Sequence, residues 1–262
     1  MKWFNRLITF IAYFIIYFPI VIIAVLSLNE SIRDFQFTGL SLRWYVEIIR
    51  DASLLRAIQN TLLVAVISTM IATLLGTYFS VVLLRVSKKL RLRLLMVNNV
   101  PVVNPDIVTA LGLLTVFSFI GVRFGFQSML LAHVFFSVPF VVLTVFPKLK
   151  SLKKEVYEAA LDLGAKPLNA WIKVVLPELK GAMIAGALIA FTMSIDDFVI
   201  SYFVYGDGFQ NVSIWLYSRL GRRSFSPAVY AYNTLIMGVT MLILIGLSLK
   251  IRKGEQNEKI IK

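Results

Sequence analysis

Six long apolar runs alternate with short polar stretches along the chain, at residues 7–28, 57–84, 94–120, 126–146, 181–205 and 227–249. About 20 predominantly apolar residues in helical form cross the roughly 30 Å of a bilayer's hydrocarbon core, and each run meets that length. Helix is the expected form, because a segment in hydrocarbon must satisfy its own N–H and C=O groups. The pattern predicts an all-α polytopic membrane protein of six transmembrane helices, a single domain over residues 1–262. The polar intervals leave no room for a separate soluble domain.

The longest interval between spans, residues 148–180, has a helical periodicity of its own. Glu158-Ala159-Ala160-Leu161-Asp162-Leu163 predicts a short helix that stops at Gly164, a residue free to take the left-handed conformation that closes a helix. Pro167 suits the first turn of a second helix, where its missing N–H costs nothing. Leu168, Trp171 and Val174 or Val175 recur at helical spacing and give that helix one apolar face, and Pro177 is expected to limit its extent.

Two spans carry polar groups that hydrocarbon does not tolerate without a reason. The third opens with Asn98-Asn99-Val100-Pro101 and continues through Asn104-Pro105-Asp106. Each proline removes a helical hydrogen bond, so a kinked or broken backbone is expected, lined by protein or by a water-filled path. Asp106 is then either a helix cap near the break or a carboxylate facing a translocation pathway. The fifth span contains Ser194-Ile195-Asp196-Asp197-Phe198. One Asp at the centre of a membrane helix costs about 3 kcal/mol on insertion scales, and here there are two. Helix neighbours point about 100° apart, so one carboxylate is expected to line a pathway while the other bonds a neighbouring helix or subunit. Ser194 and Ser201, at helical spacing from Asp197, favour Asp197 for the wet face, and Tyr202 and Phe203 follow as aromatic surface. Upstream, Ala182, Gly186, Ala190 and Ser194 form a small-residue ladder suited to close helix packing. His133, the one histidine, lies in LLAHVFFSVPF and reads as a helix-to-helix hydrogen bonder rather than a metal ligand or proton relay.

Charge orients these spans. Nineteen Lys and Arg lie near the termini, between Arg85 and Arg93, and between Lys148 and Lys180, against eight in the opposite loops. The positive-inside rule places both termini and the 148–180 loop in the cytoplasm. A net charge of +13 in short juxtamembrane loops needs no nucleic acid to explain it. The first span follows Lys2 and Arg6 as a signal peptide would, but its about 22 apolar residues exceed a signal core and no small-x-small cleavage pattern follows, so it is expected to remain. Cysteine is absent, which excludes disulfides and thiolate metal sites. No Gly-x-x-x-x-Gly-Lys-Ser/Thr loop is present to hold ATP phosphates, and no cofactor is expected on this chain.

Glu158-Ala159-Ala160, Gly164, Val174 and Leu176-Pro177 resemble the EAA motif, the cytoplasmic coupling loop of type I bacterial ABC importer permeases. The family pattern is Glu-Ala-Ala, three residues, Gly, nine residues, Ile, one residue, Leu-Pro, and Val174 in the Ile place is the one departure. The resemblance implies that Glu158 to Gly164 docks in a cleft of an ATPase subunit, with Ala159 and Ala160 allowing close approach and Glu158 offering a carboxylate to a basic partner residue. Phe37 to Tyr45 and Asn60-Thr61-Leu62 also look like segments of this family, so the resemblance covers most of the chain. Asn104-Pro105-Asp106-Ile107-Val108 and Ser194-Ile195-Asp196-Asp197 are similar to permease subunits of spermidine/putrescine importers.

The resemblance implies an inner-membrane subunit that works with an ATPase dimer carrying ATP-Mg, a homologous second permease and an extracytoplasmic solute-binding protein. Its substrate pathway would include Asp106, Asp196, Asp197, Tyr202 and Phe203, and a polyamine would suit unpaired carboxylates beside aromatic surface. The same coupling loop would serve a permease for another cationic or small solute. From other classes come an ATPase-independent channel and an intramembrane aspartyl protease. Tyr205-Gly206-Asp207-Gly208 superficially resembles the protease Gly-x-Gly-Asp, although the order differs and the site lies at a membrane edge. A protease would act as the isolated chain, whereas a permease would do nothing without its ATPase.

Overall fold

The computed structural model describes residues 2–31, 37–152, 154–220, 228–242 and 246. Among them the chain is helical, with two isolated β-bridges, Asn29 to Leu40 and Gly206 to Phe209. In chain order come α1 (Lys2–Ser27), α2 (Arg43–Arg50), α3 (Ala52–Arg85), α4 (Lys88–Asn98), the single turn α5 (Val100–Val103) and α6 (Asp106–Ile120). There follow α7 (Phe126–Ser151), α8 (Lys154–Asp162), α9 (Pro167–Ala170), a π-helical turn (Trp171–Val175), α10 (Leu176–Asp196), α11 (Val199–Val204) and α12 (Val212–Leu220). The final described helix is α13 (Ala228–Leu242).

Among the described residues, four helical stretches are long and apolar enough to span a bilayer: Trp3–Ser27, Ala52–Arg85, Phe126–Ser151 and Pro167–Asp196. The helices described in the other two expected spans are shorter. The third is divided into α4, α5 and α6 at Pro101 and Pro105, as the missing N–H groups require, and the 15 residues of α6 reach only about 22 Å. The sixth is described as far as Leu242 and at Gly246, and the rest of its expected length to residue 249 lies outside the described residues.

The fifth span departs from expectation at both ends. Pro177 does not limit the second helix of the 148–180 interval: helix continues from Pro167 through the π turn to Asp196. The wide turn, in which the Leu176 N–H bonds to the Trp171 carbonyl, relieves the clash between the proline ring and the carbonyl behind it. The span also fails to run unbroken to residue 205. Asp197 turns to extended backbone at ψ 125°, and helix resumes at Val199.

The chain divides into two compact units, residues 56–215 and residues 1–55 with 216–262. In the first, α7 is the central post. One apolar cluster joins Val64, Phe117, Met129, Phe136, Ile200 and Val204, and another joins Ala72, Val141, Val145, Leu149, Leu179 and Ala190. The small-residue ladder lies against α7: Gly186, Ala190 and Ser194 are buried. A Cβ at Gly186 would lie 2.4 Å from Thr144 Oγ1, and one at Gly76 of α3 would lie 2.7 Å from Val141 Cβ. These glycines let three backbones approach one another where lipid supplies no hydrophobic drive for helix association.

In the other unit, the Trp44 indole N–H donates to the Asn29 carbonyl at 2.6 Å and Ser27 Oγ lies 2.7 Å from Tyr45 Oη, tying α2 to the end of α1. The Arg43 guanidinium sits 5.3 Å from the Trp44 ring centroid, an arrangement suited to a membrane interface. Phe10, Phe14 and Phe18 form an exposed aromatic stripe on α1.

Candidate functional site

The breaks in the third and fifth spans meet at one cleft. About 380 Å³ in volume, it is lined by Pro101, Val102 and Asp106 from the first break, and by Met193, Asp196, Asp197, Phe198, Val199 and Ile200 from the second, with Phe136 and Phe140 of α7 as its wall. Asp106 occupies the first position of α6, where a helix N-terminus favours negative charge, and also faces the cleft. The cap position itself is Pro105, with no side-chain capping bond, so Asp106 is not the cap that the sequence left open as one of its roles.

Asp197 and Asp196 both line the cleft, in different surroundings. Asp197 is the inward one: its side chain is 9% exposed, and its carboxylate accepts the Ile200 N–H at 3.3 Å and the Ser201 N–H at 2.7 Å. It thereby satisfies two free donors at the start of α11. Asp196 is the more exposed of the pair. Both carboxylates border the cleft, and the break after Asp196 sets Asp197 deeper, against the start of α11. Tyr202 and Phe203 do not line the cleft. Tyr202 stands behind Phe198, ring centroids 5.6 Å apart, and Phe203 packs on the apolar cluster around Val204. The aromatic lining instead comes from Phe136, Phe140 and Phe198, which sequence reasoning missed. Phe136 and Phe140 lie one turn apart on α7, three and seven residues after His133.

Behind the cleft lies a buried polar network. His133 Nδ1 is 2.6 Å from Ser194 Oγ, and Nε2 is 3.0 Å from Ser201 Oγ, the helix-to-helix role expected of this residue. Asn211 Nδ2 donates to Ser201 Oγ and to the Asp197 carbonyl at 2.9 and 3.1 Å. Thr61 Oγ1 accepts the Val212 N–H, and Asn60 Nδ2 donates to the Gln210 carbonyl, so α3 is fastened to the same segment. In a low-dielectric interior each such bond is costly to leave unmade.

At the opposite end of α10 lies the loop predicted to couple. Gly164 closes α8 at φ 84°, with its N–H on the Leu161 carbonyl and the Ala165 N–H on the Ala160 carbonyl. Glu158, Ala159, Leu176 and Pro177 are exposed, Ala160 is half-buried, and Leu163 and Leu168 present apolar side chains at 89% and 70% exposure. Tyr157 and Trp171, ring centroids 6.1 Å apart, pin α8 to the π turn. Asp207 takes no part in either region. It sits on an exposed turn and pairs with Arg123, which leaves the protease resemblance without a free second carboxylate there.

The family described as binding-protein-dependent transport system inner membrane component matches residues 70–252. The spermidine/putrescine transport system permease protein PotC of Escherichia coli (strain K12) is 36% identical over 233 residues, 89% of this chain and 88% of that protein. The putrescine transport system permease protein PotI of the same strain is 34% identical over 238 residues, 87% of this chain and 83% of that protein. Among solved structures, a bacterial ABC transporter involved in import of the acidic polysaccharide alginate superposes with a TM-score of 0.71 at 17% identity, covering 95% of this chain and 96% of that one. The chain belongs to the binding-protein-dependent transport system inner membrane component family: it is a permease subunit of an ABC importer, a transport component and not an enzyme.

Proposed function

We propose that this subunit passes polyamines, spermidine and putrescine, across the bacterial inner membrane through the cleft of Asp106, Asp196 and Asp197. The observation that carries this reading is three carboxylates around an aromatic cleft with no basic side chain among its described lining residues. Fixed negative charge replaces the hydration that an ammonium loses on entering the membrane. Phe136, Phe140 and Phe198 offer ring faces to the cation and apolar surface to the methylene spacers. Tyr202 extends that surface beyond Phe198, and Phe203 supports it from the core side. The names of the two relatives point to the same substrates. The cleft is open, and the carboxylates provide a transient path, since a tight trap would prevent release.

The chain forms one permease domain of six spans with both termini cytoplasmic, an orientation supported by the distribution of its basic residues. Residues Glu158 to Pro177 face an ATPase dimer that holds the ATP-Mg. Glu158 meets a basic residue there, Ala159 and Ala160 permit close approach, Gly164 sets the angle between α8 and α9, and Leu176-Pro177 leads into α10. Exposed Leu163 and Leu168 support a protein partner at this loop, because isolated apolar side chains of that size gain most from being covered. The 30 helical residues from Pro167 to Asp196 span about 45 Å and connect the loop to the break without a second hinge at Pro177. ATPase closure then moves a continuous helix whose far end bears Asp196, switching the cleft between outward and inward access. A second, homologous permease completes the path, and an extracytoplasmic binding protein delivers the solute.

Half-saturating concentrations for uptake test the substrate reading. Spermidine and putrescine are expected to compete with each other, whereas 1,4-butanediol, of similar length but neutral, competes with neither. Asp196→Asn is expected to raise the half-saturating amine concentration about 5- to 30-fold, equivalent to about 1–2 kcal/mol for one partly solvated charge pair. Equal competition by the diol would remove the role given to the carboxylates.

A further inference from the structure

The two halves of the broken fifth span are joined by a side chain that belongs to neither. Ser194 lies in the last turn of α10 and Ser201 in the first turn of α11, on either side of Asp196 and Asp197. His133, fully buried in α7, contacts both hydroxyls, one with each ring nitrogen. A rigid imidazole fixes the separation of the two partners it bonds, and hydroxyls satisfy either tautomer because they both donate and accept. Ser194 Oγ is braced in turn by Ser68 Oγ of α3 at 3.3 Å, and Ser201 Oγ by Asn211. Asp197 Oδ2 lies 3.6 Å from His133 Nε2, close enough to be set by the ring's position. One turn further along α7, Phe136 sits 5.1 Å from the imidazole and lines the cleft. At the break itself no helical hydrogen-bond ladder holds α11 in line with α10, so their relative placement depends on what bridges them.

We propose that His133 is a positioning residue of the transport pathway: by bridging Ser194 and Ser201 it sets the offset of α11 from α10 and hence the direction in which Asp196 and Asp197 meet the cleft. The proposal rests on the cleft being the path proposed above.

The chain has no cysteine, so a Val199→Cys reporter in the cleft labels alone on this subunit. The assembled importer, with its ATPase and second permease, is labelled with a water-soluble maleimide in the absence of amine, with His133, His133→Leu or His133→Gln. Spermidine uptake is measured in the same three backgrounds without the reporter. His133→Leu is expected to change the labelling rate at least about 3-fold and to raise the half-saturating spermidine concentration about 10-fold, with the maximal rate of ATP hydrolysis within about 2-fold. His133→Gln, which keeps a donor and an acceptor, is expected to recover most of both effects. An assembled His133→Leu importer with unchanged labelling and unchanged half-saturation overturns the proposal, as does a Gln variant as impaired as Leu. If the Leu variant does not assemble, Ser194→Ala and Ser201→Ala carry the test, and unchanged values in both overturn it equally. The labelling arm involves no amine: a changed rate in an importer that moves no polyamine counts against the substrate reading and in favour of the positioning role.

Discussion

Replacing Gly186 with alanine inserts one carbon where α10 crosses α7. That Cβ would lie 2.4 Å from Thr144 Oγ1 and 3.1 Å from Val141 Cα, against an ordinary contact of 3.4 Å or more. Thr144 cannot swing aside freely, because its hydroxyl donates to the Val141 carbonyl at 2.8 Å and losing that bond costs about 1 kcal/mol. The Val141 backbone cannot move without α7. Either route is overpacking, with a cost of about 1–3 kcal/mol, partly offset by the up to about 1 kcal/mol that alanine gains over glycine in a helix. Gly181, on the same helix with nothing within 4 Å of its added Cβ, isolates the propensity term. The two alanine variants should therefore differ by the overpacking cost alone, a factor of about 5–150 in the folded-to-unfolded ratio. Reversible unfolding of the purified protein in mixed micelles measures the difference. Thr144→Ala in the Gly186→Ala background should recover much of it, since a shared contact makes the pair non-additive. Equal stability of Gly186→Ala and Gly181→Ala would refute the close packing of α10 on α7.

Asp197→Asn weakens the acceptor for the Ile200 and Ser201 amides and should cost about 1 kcal/mol, seen as faster hydrogen exchange at both amides while the rest of α10 keeps its protection. Asp207 holds φ 50°, so Asp207→Val should destabilise by about 1–2 kcal/mol where Asp207→Gly is near neutral, both read by thermal unfolding. Loss of the Arg123 pair itself should count for little, since both side chains are more than half exposed.

Several features could be read from sequence because their causes are local. Pro101 and Pro105 lack N–H groups wherever they stand, so the break in the third span needs no tertiary knowledge. Gly164 and Pro167 mark the end of α8 and the start of α9 by backbone chemistry alone, and the four-residue repeat of Ala182, Gly186, Ala190 and Ser194 marks a packing face. His133 was legible as a helix-to-helix bonder because a buried imidazole must find partners. Its partners were not, since Ser194 and Ser201 become neighbours only after the fifth span breaks. No proline or glycine announces that break, which depends on Asp197 capping α11 and on Asn211 holding the Asp197 carbonyl. For this reason the deeper seat of Asp197 in the cleft, relative to Asp196, was not legible. Pro177 misled in the opposite direction: a local rule forecast an end to the helix, and the π turn just before it let the helix continue. Phe136 and Phe140 were hidden in an apolar run that any membrane helix would share.

The most direct measurement is ATP-driven accumulation of labelled spermidine in proteoliposomes holding the full importer and its binding protein, with ATP hydrolysis recorded in the same vesicles. The wild-type importer should concentrate the amine. Asp196→Asn should lower uptake at subsaturating amine with assembly intact, and Glu158→Ala should leave the chain folded while hydrolysis no longer drives uptake. Robust ATP-driven transport of another solute with no accumulation of either polyamine would contradict the substrate and the meaning given to the carboxylate cleft.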